Sequence, residues 1–143
     1  MVSGLKLFDL NGKTALITGS SQGIGYALAK GLADAGSDII LNGRNTEKLK
    51  QSAEAINTKQ NIFQLCFDVT DYKQTKRSID KFEKDIKPID ILINNAGMQF
   101  RTPLEDFPPE MFEQLFKTNV SSVFNVSQVV AKHMIKRREG KII

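Results

Sequence analysis

The chain is short of the residues that build disulfides and metal sites. It has one cysteine, Cys66, and one histidine, His133, among 143 residues. A lone cysteine closes no internal disulfide, which fits a reducing compartment, and one Cys with one His excludes an ordinary Cys/His zinc site. Cys66 falls in an alternating, strand-like stretch and is expected in the core. His133, next to Lys132, is expected at a surface or an interface rather than in a catalytic triad. Tryptophan is absent, and the tyrosines are Tyr26 and Tyr72. No apolar run approaches the roughly 20 residues of a membrane span. Residues 1–10 mix Lys6 and Asp9 with a few apolar side chains, so no secretory leader is expected there. Charge of one sign is scarce as well. The net charge is +4, with Lys and Arg spread along the chain, so neither nucleic acid nor a membrane is indicated as a partner. Together these absences make the cytoplasm the simplest setting.

What is present is ordinary for a globular domain: 41% hydrophobic and 25% charged residues, at a length that predicts one domain or part of one. Four strand-length runs stand out, Thr14-Ala-Leu-Ile-Thr18, Asp38-Ile-Ile-Leu-Asn42, Ile62-Phe-Gln-Leu-Cys-Phe-Asp68 and Asp90-Ile-Leu-Ile-Asn94. Three are nearly continuously apolar, the mark of parallel strands buried on both faces. Helix-like stretches near 23–35, 46–57 and 72–86 separate them. The alternation predicts an α/β fold, a doubly wound parallel sheet of the Rossmann type. A longer helix is expected over residues 109–138, opened by Pro108-Pro109. At 100° per residue its apolar positions cover more than half of the circumference, which predicts two buried sides, one on the sheet and one elsewhere. Gly140-Lys-Ile-Ile143 reads as the opening of a fifth strand. The expectation is therefore a single domain over residues 1–143, incomplete at its C-terminus and truncated in that strand.

The chemistry-bearing motif is Thr18-Gly-Ser-Ser-Gln-Gly-Ile-Gly25, directly after the first strand and opening the first helix. Glycines 19, 23 and 25 permit a sharp turn and close approach of backbone to an anion. The free N–H groups and dipole of a helix start favour the pyrophosphate of a dinucleotide. The same glycines also suit a tight turn with no ligand. The residue that reads the adenosine ribose is expected about 20 residues further on, at the end of the second strand. There the sequence is Asn42-Gly43-Arg44-Asn45, with no acid. Arg44 is able to pair with a 2′-phosphate, which favours NADP(H) with NAD(H) still possible; otherwise it is a solvated loop arginine.

These motifs, with Asp68-Val69, Asn94-Asn-Ala-Gly97 and Asn119, stand in the order found in short-chain dehydrogenases/reductases, which the chain resembles over essentially its whole length. Within that family, Asn94-Asn-Ala-Gly-Met-Gln-Phe-Arg101 and Phe107-Pro108 resemble gluconate 5-dehydrogenases (5-keto-gluconate reductases) more closely than 3-oxoacyl-carrier-protein reductases. The resemblance implies that Gly19, Ser20, Ser21, Gln22, Gly23, Ile24 and Gly25 surround the pyrophosphate and ribose. It implies Asp68 and Val69 at the adenine, and Asn95, Ala96 and Gly97 along the cofactor. A carboxylate at position 68 also suits a cap on the next helix. Asn119 falls inside the apolar arc of the long helix, so a buried amide with partners is expected. By pattern it is a structural bond to a neighbouring carbonyl; by resemblance it is catalytic, ordering a water in a proton relay. Gln99 and Arg101 are candidate substrate residues, because Arg101 is able to hold the carboxylate of a sugar acid bidentately, although a surface arginine fits as well. The resemblance further implies a homo-oligomer paired through the 109–138 helix.

The family's catalytic Ser and Tyr-x-x-x-Lys have no counterpart in register here. Tyr26/Lys30 and Tyr72/Lys76 match the spacing but lie in the wrong helices. The expected function is thus the cofactor-binding part of an NADP(H)-dependent oxidoreductase of a sugar acid, inactive as this chain alone. The alternatives are a non-catalytic dinucleotide-binding module, a truncated product, or a part of a 3-oxoacyl thioester reductase.

Overall fold

The computed structural model describes residues 4–143. The reading of residues 1–10 therefore falls in part on residues 1–3, outside the described residues. The strands are β1 (Thr14–Ile17), β2 (Asp38–Gly43), β3 (Ile62–Cys66), β4 (Ile91–Ile93) and β5 (Lys141–Ile142). They form one five-stranded sheet in the order β3-β2-β1-β4-β5, with every pairing parallel. The helices are α1 (Gly23–Asp34), α2 (Thr46–Ala55), α3 (Tyr72–Asp85), α4 (Pro109–Phe116) and α5 (Ser122–Arg137). This is the doubly wound Rossmann-type α/β fold that the alternating runs predict.

Continuous apolar runs suit the central strands because alternate residues feed two different cores. Ala15, Ile17, Ile39 and Leu41 pack with Ala29 and Ala33 of α1 and Leu49 of α2. Leu16, Ile40 and Leu92 face the other way, onto Ile79 and Phe82 of α3 and Val126 and Val130 of α5. The helix starts follow local chemistry. Asn45 accepts from the Lys48 N–H at 2.9 Å, and Asp71 from the Gln74 N–H at 3.0 Å, each an N-cap. Asp71, rather than Asp68, thus caps α3.

Cys66 is exposed, contrary to the expectation of a core residue. Among the described residues β3 is an edge strand, with β2 on one side and no strand on the other. His133 is half-buried, and its Nε2 lies 2.7 Å from the Asp80 carboxylate, which ties α5 to α3.

The expected helix over 109–138 is two helices. A π turn, Lys117–Ser121, interrupts it between α4 and α5. The extra residue per turn rotates everything after it, so a wheel drawn at constant 100° merges two different stripes. Val126, Val129, Val130 and Met134 are buried on the sheet. Phe112, Phe116, Val120 and Phe124 form the other stripe and are exposed, at 61%, 52%, 49% and 64%. One of the two expected buried sides is thus buried within the chain and the other is bare. No helix among the described residues is long and apolar enough to cross a membrane.

At the opposite end of the sheet from the glycine-rich turn, Asp38 opens β2. Its carboxylate accepts from Lys87 Nζ at 2.5 Å and from the Asn61 N–H at 2.8 Å. Burial pushes this carboxyl up, but the Lys87 and Asn61 bonds outweigh it and hold the group below the usual aspartate range. A lowered folded pKa means that the stabilisation is complete above the unfolded value of about 3.9 and is lost as pH falls through the folded one. Lys87→Met is expected to lower stability near neutral pH by about 1–2 kcal/mol and to flatten the loss below about pH 4. Urea melts across pH 3–7 test this. An unchanged acid limb in the variant contradicts it.

Candidate cofactor-binding cleft

The sheet order reverses beside β1: β2 and β3 lie to one side, β4 and β5 to the other. In open α/β sheets the crevice at such a reversal, at the carboxyl ends of the strands, is where ligands bind. The glycine-rich turn occupies that place, and its three glycines are needed for three different reasons. Gly19 has φ +62°, and a Cβ there would also lie 2.9 Å from Ala96 Cα. Gly23 has φ +62° with open space around it, so its requirement is purely conformational. At Gly25 a Cβ would stand 2.5 Å from both Asn95 Nδ2 and the Gly19 carbonyl. Its requirement is the close seating of α1 under the turn.

Polar side chains brace the turn from both flanks. Thr18 Oγ1 accepts from the Asn95 and Ala96 N–H groups, each at 3.0 Å. Asn95 Nδ2 donates to the carbonyls of Thr18 at 2.9 Å and Gly19 at 3.1 Å. On the other side the buried Asn42 amide donates to the carbonyls of Leu65 at 3.0 Å and Phe67 at 3.2 Å, and accepts from the Gly19 N–H at 3.3 Å. α1 then starts without a side-chain cap, since Gln22 makes no such bond. Its first N–H groups are available to an anion.

The resulting cleft holds about 690 Å³. Its walls are the turn, residues 42–44 after β2, residues 67–70 after β3, residues 95–98 after β4, and Gln114, Lys117 and Thr118 from α4 and the π turn. Asp68 Oδ1 accepts from the Thr70 N–H and hydroxyl, both at 2.8 Å. Burial raises this carboxyl, but the two Thr70 bonds, with Arg44 and Lys117 nearby, bring it below the usual range. Asp68 is therefore an ionised acceptor at neutral pH. Arg44 Nη1 lies 4.0 Å from Asp68 Oδ2, its side chain 81% exposed at the rim.

Most of the residues read from the sequence meet here. Gly19, Ser21, Gln22 and Gly23 line the cleft from one side, and Arg44, Asp68 and Val69 from another. Asn95, Ala96 and Gly97 close the third. Three expected members do not line it. Ser20 is fully buried, its hydroxyl donating to the Ile17 carbonyl at 2.8 Å and accepting from the Asn42 N–H at 3.0 Å. Gly25 is buried beneath the turn, and Ile24 is 76% exposed outside the cleft.

Gln99 and Asn119 line a smaller adjoining hollow of about 360 Å³ that shares Asn95, Ala96, Gly97 and Met98 with the cleft. Arg101 is exposed on the same loop and lines neither space. Asn119 is exposed rather than buried, because the π turn carries it off the packed stripe. Both ends of its amide are nonetheless engaged: Oδ1 accepts from the Met98 N–H and Nδ2 donates to the Met98 carbonyl, both at 2.8 Å. The bond to a neighbouring carbonyl expected from pattern is present.

Sequence reasoning assigned no role to Thr18, Asn42, Thr70, Gln114, Lys117 or Thr118. Asn42 carried a signal, since a polar residue ending a buried apolar strand must find partners. Lys117 and Thr118 carried none, because their direction depends on the π turn.

The cradle suits a dinucleotide: a turn with no room for added Cβ atoms at Gly19 and Gly25, uncapped helix N–H groups, an ionised acceptor and a cationic rim. Comparison with known proteins agrees. The chain is 48% identical over 142 residues to gluconate 5-dehydrogenase of Gluconobacter oxydans (strain 621H), covering 96% of this chain and 54% of the relative. It is 42% identical over 139 residues to 5-keto-D-gluconate 5-reductase of Escherichia coli (strain K12), with the same coverage of 96% and 54%. The crystal structure of a gluconate 5-dehydrogenase from Burkholderia cenocepacia J2315, in complex with NADP and tartrate, superposes with a TM-score of 0.90 at 44% identity, covering 98% of this chain and 55% of that one. The chain thus spans about half the length of the curated relatives it matches. The sequence model for short chain dehydrogenases matches residues 13–143, which takes in every strand of the sheet and every wall of the cleft, and the chain belongs to that family.

Proposed function

We propose that residues 1–143 form the NAD(P)-binding domain of an NADP(H)-linked oxidoreductase acting on a sugar acid of the gluconate/5-keto-gluconate kind. The observation that carries the cofactor reading is the end of β2. Gly43 and Arg44 line the cleft there, and no acid occupies residues 42–45 to take a ribose 2′-hydroxyl. The substrate reading is supported by the relatives, a gluconate 5-dehydrogenase and a 5-keto-D-gluconate 5-reductase, and by Gln99, which lines the hollow adjoining the cleft; Arg101 would have to swing in from the exposed part of the same loop to meet a carboxylate. When bound, the cofactor supplies or accepts the hydride. The chain's own residues bind and orient it: the turn and the N–H groups of α1 hold the pyrophosphate, Arg44 the 2′-phosphate, and Asp68 the adenine amino group. Asn119 positions residues 95–98 by gripping Met98 at both backbone atoms.

In this reading neither tyrosine serves as the general acid. Tyr72 donates its hydroxyl to Gln128 Oε1 at 3.0 Å, and Lys76 is paired with Asp80. Tyr26 packs against the α1/α2 core. The 143-residue chain by itself is accordingly expected to bind NADP(H) but to show no reduction of 5-keto-gluconate above a buffer blank. The bare Phe112, Phe116, Val120 and Phe124 stripe supports the proposal of a homo-oligomer joined along α4 and α5, since an exposed apolar patch of this kind marks an interaction surface.

Titration with NADP⁺ and NAD⁺ tests the cofactor reading. NADP⁺ is expected to bind more tightly, and Arg44→Ala to cost about 1.5–3 kcal/mol, roughly 10–150-fold, with NADP⁺ while leaving NAD⁺ nearly alone. Equal affinities in the unaltered chain, or an Arg44→Ala variant with undiminished NADP⁺ affinity, overturn the reading.

A further inference from the structure

Two cations and one acid line the cleft: Arg44, Lys117 and Asp68. The turn from Thr18 to Gly25 carries no basic residue. Arg44 Nη1 lies 4.0 Å from Asp68 Oδ2, so the arginine that would take a phosphate stands beside a carboxylate. A phosphate monoester brings about −1.5 to −2 charges at neutral pH. Placing it on Arg44 takes the guanidinium away from Asp68 and sets two anions side by side. The pair Arg44–Asp68 alone is neutral and poorly suited to that charge.

Lys117 stands on another wall of the same cleft, at the join of α4 and the π turn. Its ammonium makes no ion pair among the described residues, which leaves it available to an anion in the cleft that it lines together with Asp68 and Arg44. We infer that Lys117 is a positioning residue for cofactor choice: it takes over as counter-ion to Asp68 when Arg44 turns to a 2′-phosphate. The inference rests on the NADP(H) reading above. It makes discrimination between the dinucleotides a property of three residues from three walls, rather than of the end of β2 alone. With NAD(H) the exchange is not needed, because Arg44 keeps its place beside Asp68.

The test is the ratio of NADP⁺ to NAD⁺ affinity, measured by titration of the 143-residue chain at two salt concentrations. Lys117→Met is expected to weaken NADP⁺ about fivefold at low salt, and less at high salt, with NAD⁺ changed by less than about twofold. Lys117→Arg, which keeps the charge, restores the ratio. In an Asp68→Asn background Arg44 has no carboxylate to leave, so adding Lys117→Met there should change the ratio by less than about twofold. A full fivefold loss in that background shows Lys117 acting on the ligand directly and overturns the exchange. An equal loss for both dinucleotides, or no rescue by arginine, overturns it as well. If the unaltered chain shows no preference for NADP⁺, the cofactor reading fails and the role of Lys117 with it. A preference that survives Lys117→Met unchanged rejects Lys117 alone.

Discussion

Gly25→Ala should weaken dinucleotide binding by at least about 100-fold, while Gly31→Ala, six residues along the same helix, should stabilise the protein. The added methyl at position 25 would sit 2.5 Å from Asn95 Nδ2 and from the Gly19 carbonyl, and 2.9 Å from Ser20 Cα. Two of these three are backbone, and the third is held by its bonds to Thr18 and Gly19. No flexible side chain is available to move aside. Either α1 shifts away from the turn or the turn opens, and both separate the N–H groups from the phosphates they would hold. The expected destabilisation is about 2–3 kcal/mol, with affinity for NADP⁺ reduced about 100-fold or more. At Gly31 nothing lies within 4 Å of an added Cβ, so alanine gains helix propensity at no steric cost. That change should add about 0.5–1 kcal/mol. Thermal melts and cofactor titrations of the two variants decide the matter. A Gly25→Ala protein that binds as well as the unaltered chain would show that the turn does not depend on how α1 is seated.

Arg137→Met should be the most destabilising single change away from the cleft. Arg137 grips Glu83 through two bonds, Nη1 to Oε2 at 2.9 Å and Nη2 to Oε1 at 3.2 Å, and Nη2 also donates to the Ile89 carbonyl. Glu83 Oε1 in turn accepts from the Ile89 N–H at 3.0 Å. The Glu83 side chain is only 5% exposed, so removing the arginine strands a carboxylate between α3 and α5. Breaking a buried pair from one side costs about 3–5 kcal/mol, more than the pair itself contributes, because the remaining charge keeps its desolvation cost. Arg137→Met combined with Glu83→Gln should recover most of the loss, since the amide oxygen still serves the Ile89 N–H and no charge is left. Denaturant midpoints of the single and double variants give the comparison. A double variant no better than the single one would place the loss in the packing of the arginine stem.

The two cases differ in how far the sequence announced them. The glycine-rich turn was legible because both its spacing and its place after an apolar run are local. The sheet was legible for the same reason: Leu16 and Ile40 alternate with Ala15 and Ile39 into opposite cores, and a strand buried twice reads as an unbroken apolar run. Asn45 and Asp71 mark helix starts three residues before the N–H groups they accept from. The Glu83–Arg137 pair was not legible, since 54 residues separate its members and nothing local joins them. Nor was the π turn at Lys117–Ser121, whose single extra residue per turn leaves no mark in composition. That omission accounts for the misplacement of Asn119 as buried and for the silence on Lys117. Cys66 and Ser20 went astray in opposite directions. Alternation predicts which face a residue takes but not whether its strand lies at an edge, and membership of a motif does not say which way a hydroxyl points.

The pairing of β1 with β4 also sets the order in which the cleft comes into being. β1 pairs with β2 across a gap of 24 residues, Thr14 with Asp38, whereas Ala15 pairs with Ile91 only after the chain has passed through β3 and α3. Distant pairings close late, because a longer loop must be ordered before they reward it. The β1–α1–β2–α2–β3 half is thus able to collapse on its own short loops. Until β4 docks, Asn95 and Ala96 do not reach the Thr18 hydroxyl, and Gly19 has nothing on its open side. The turn that holds a pyrophosphate is therefore written early in the chain and completed late in time. A dinucleotide added during refolding would find the turn braced only once β4 has docked, and would act as a latch on that docked state rather than as a template for the first collapse.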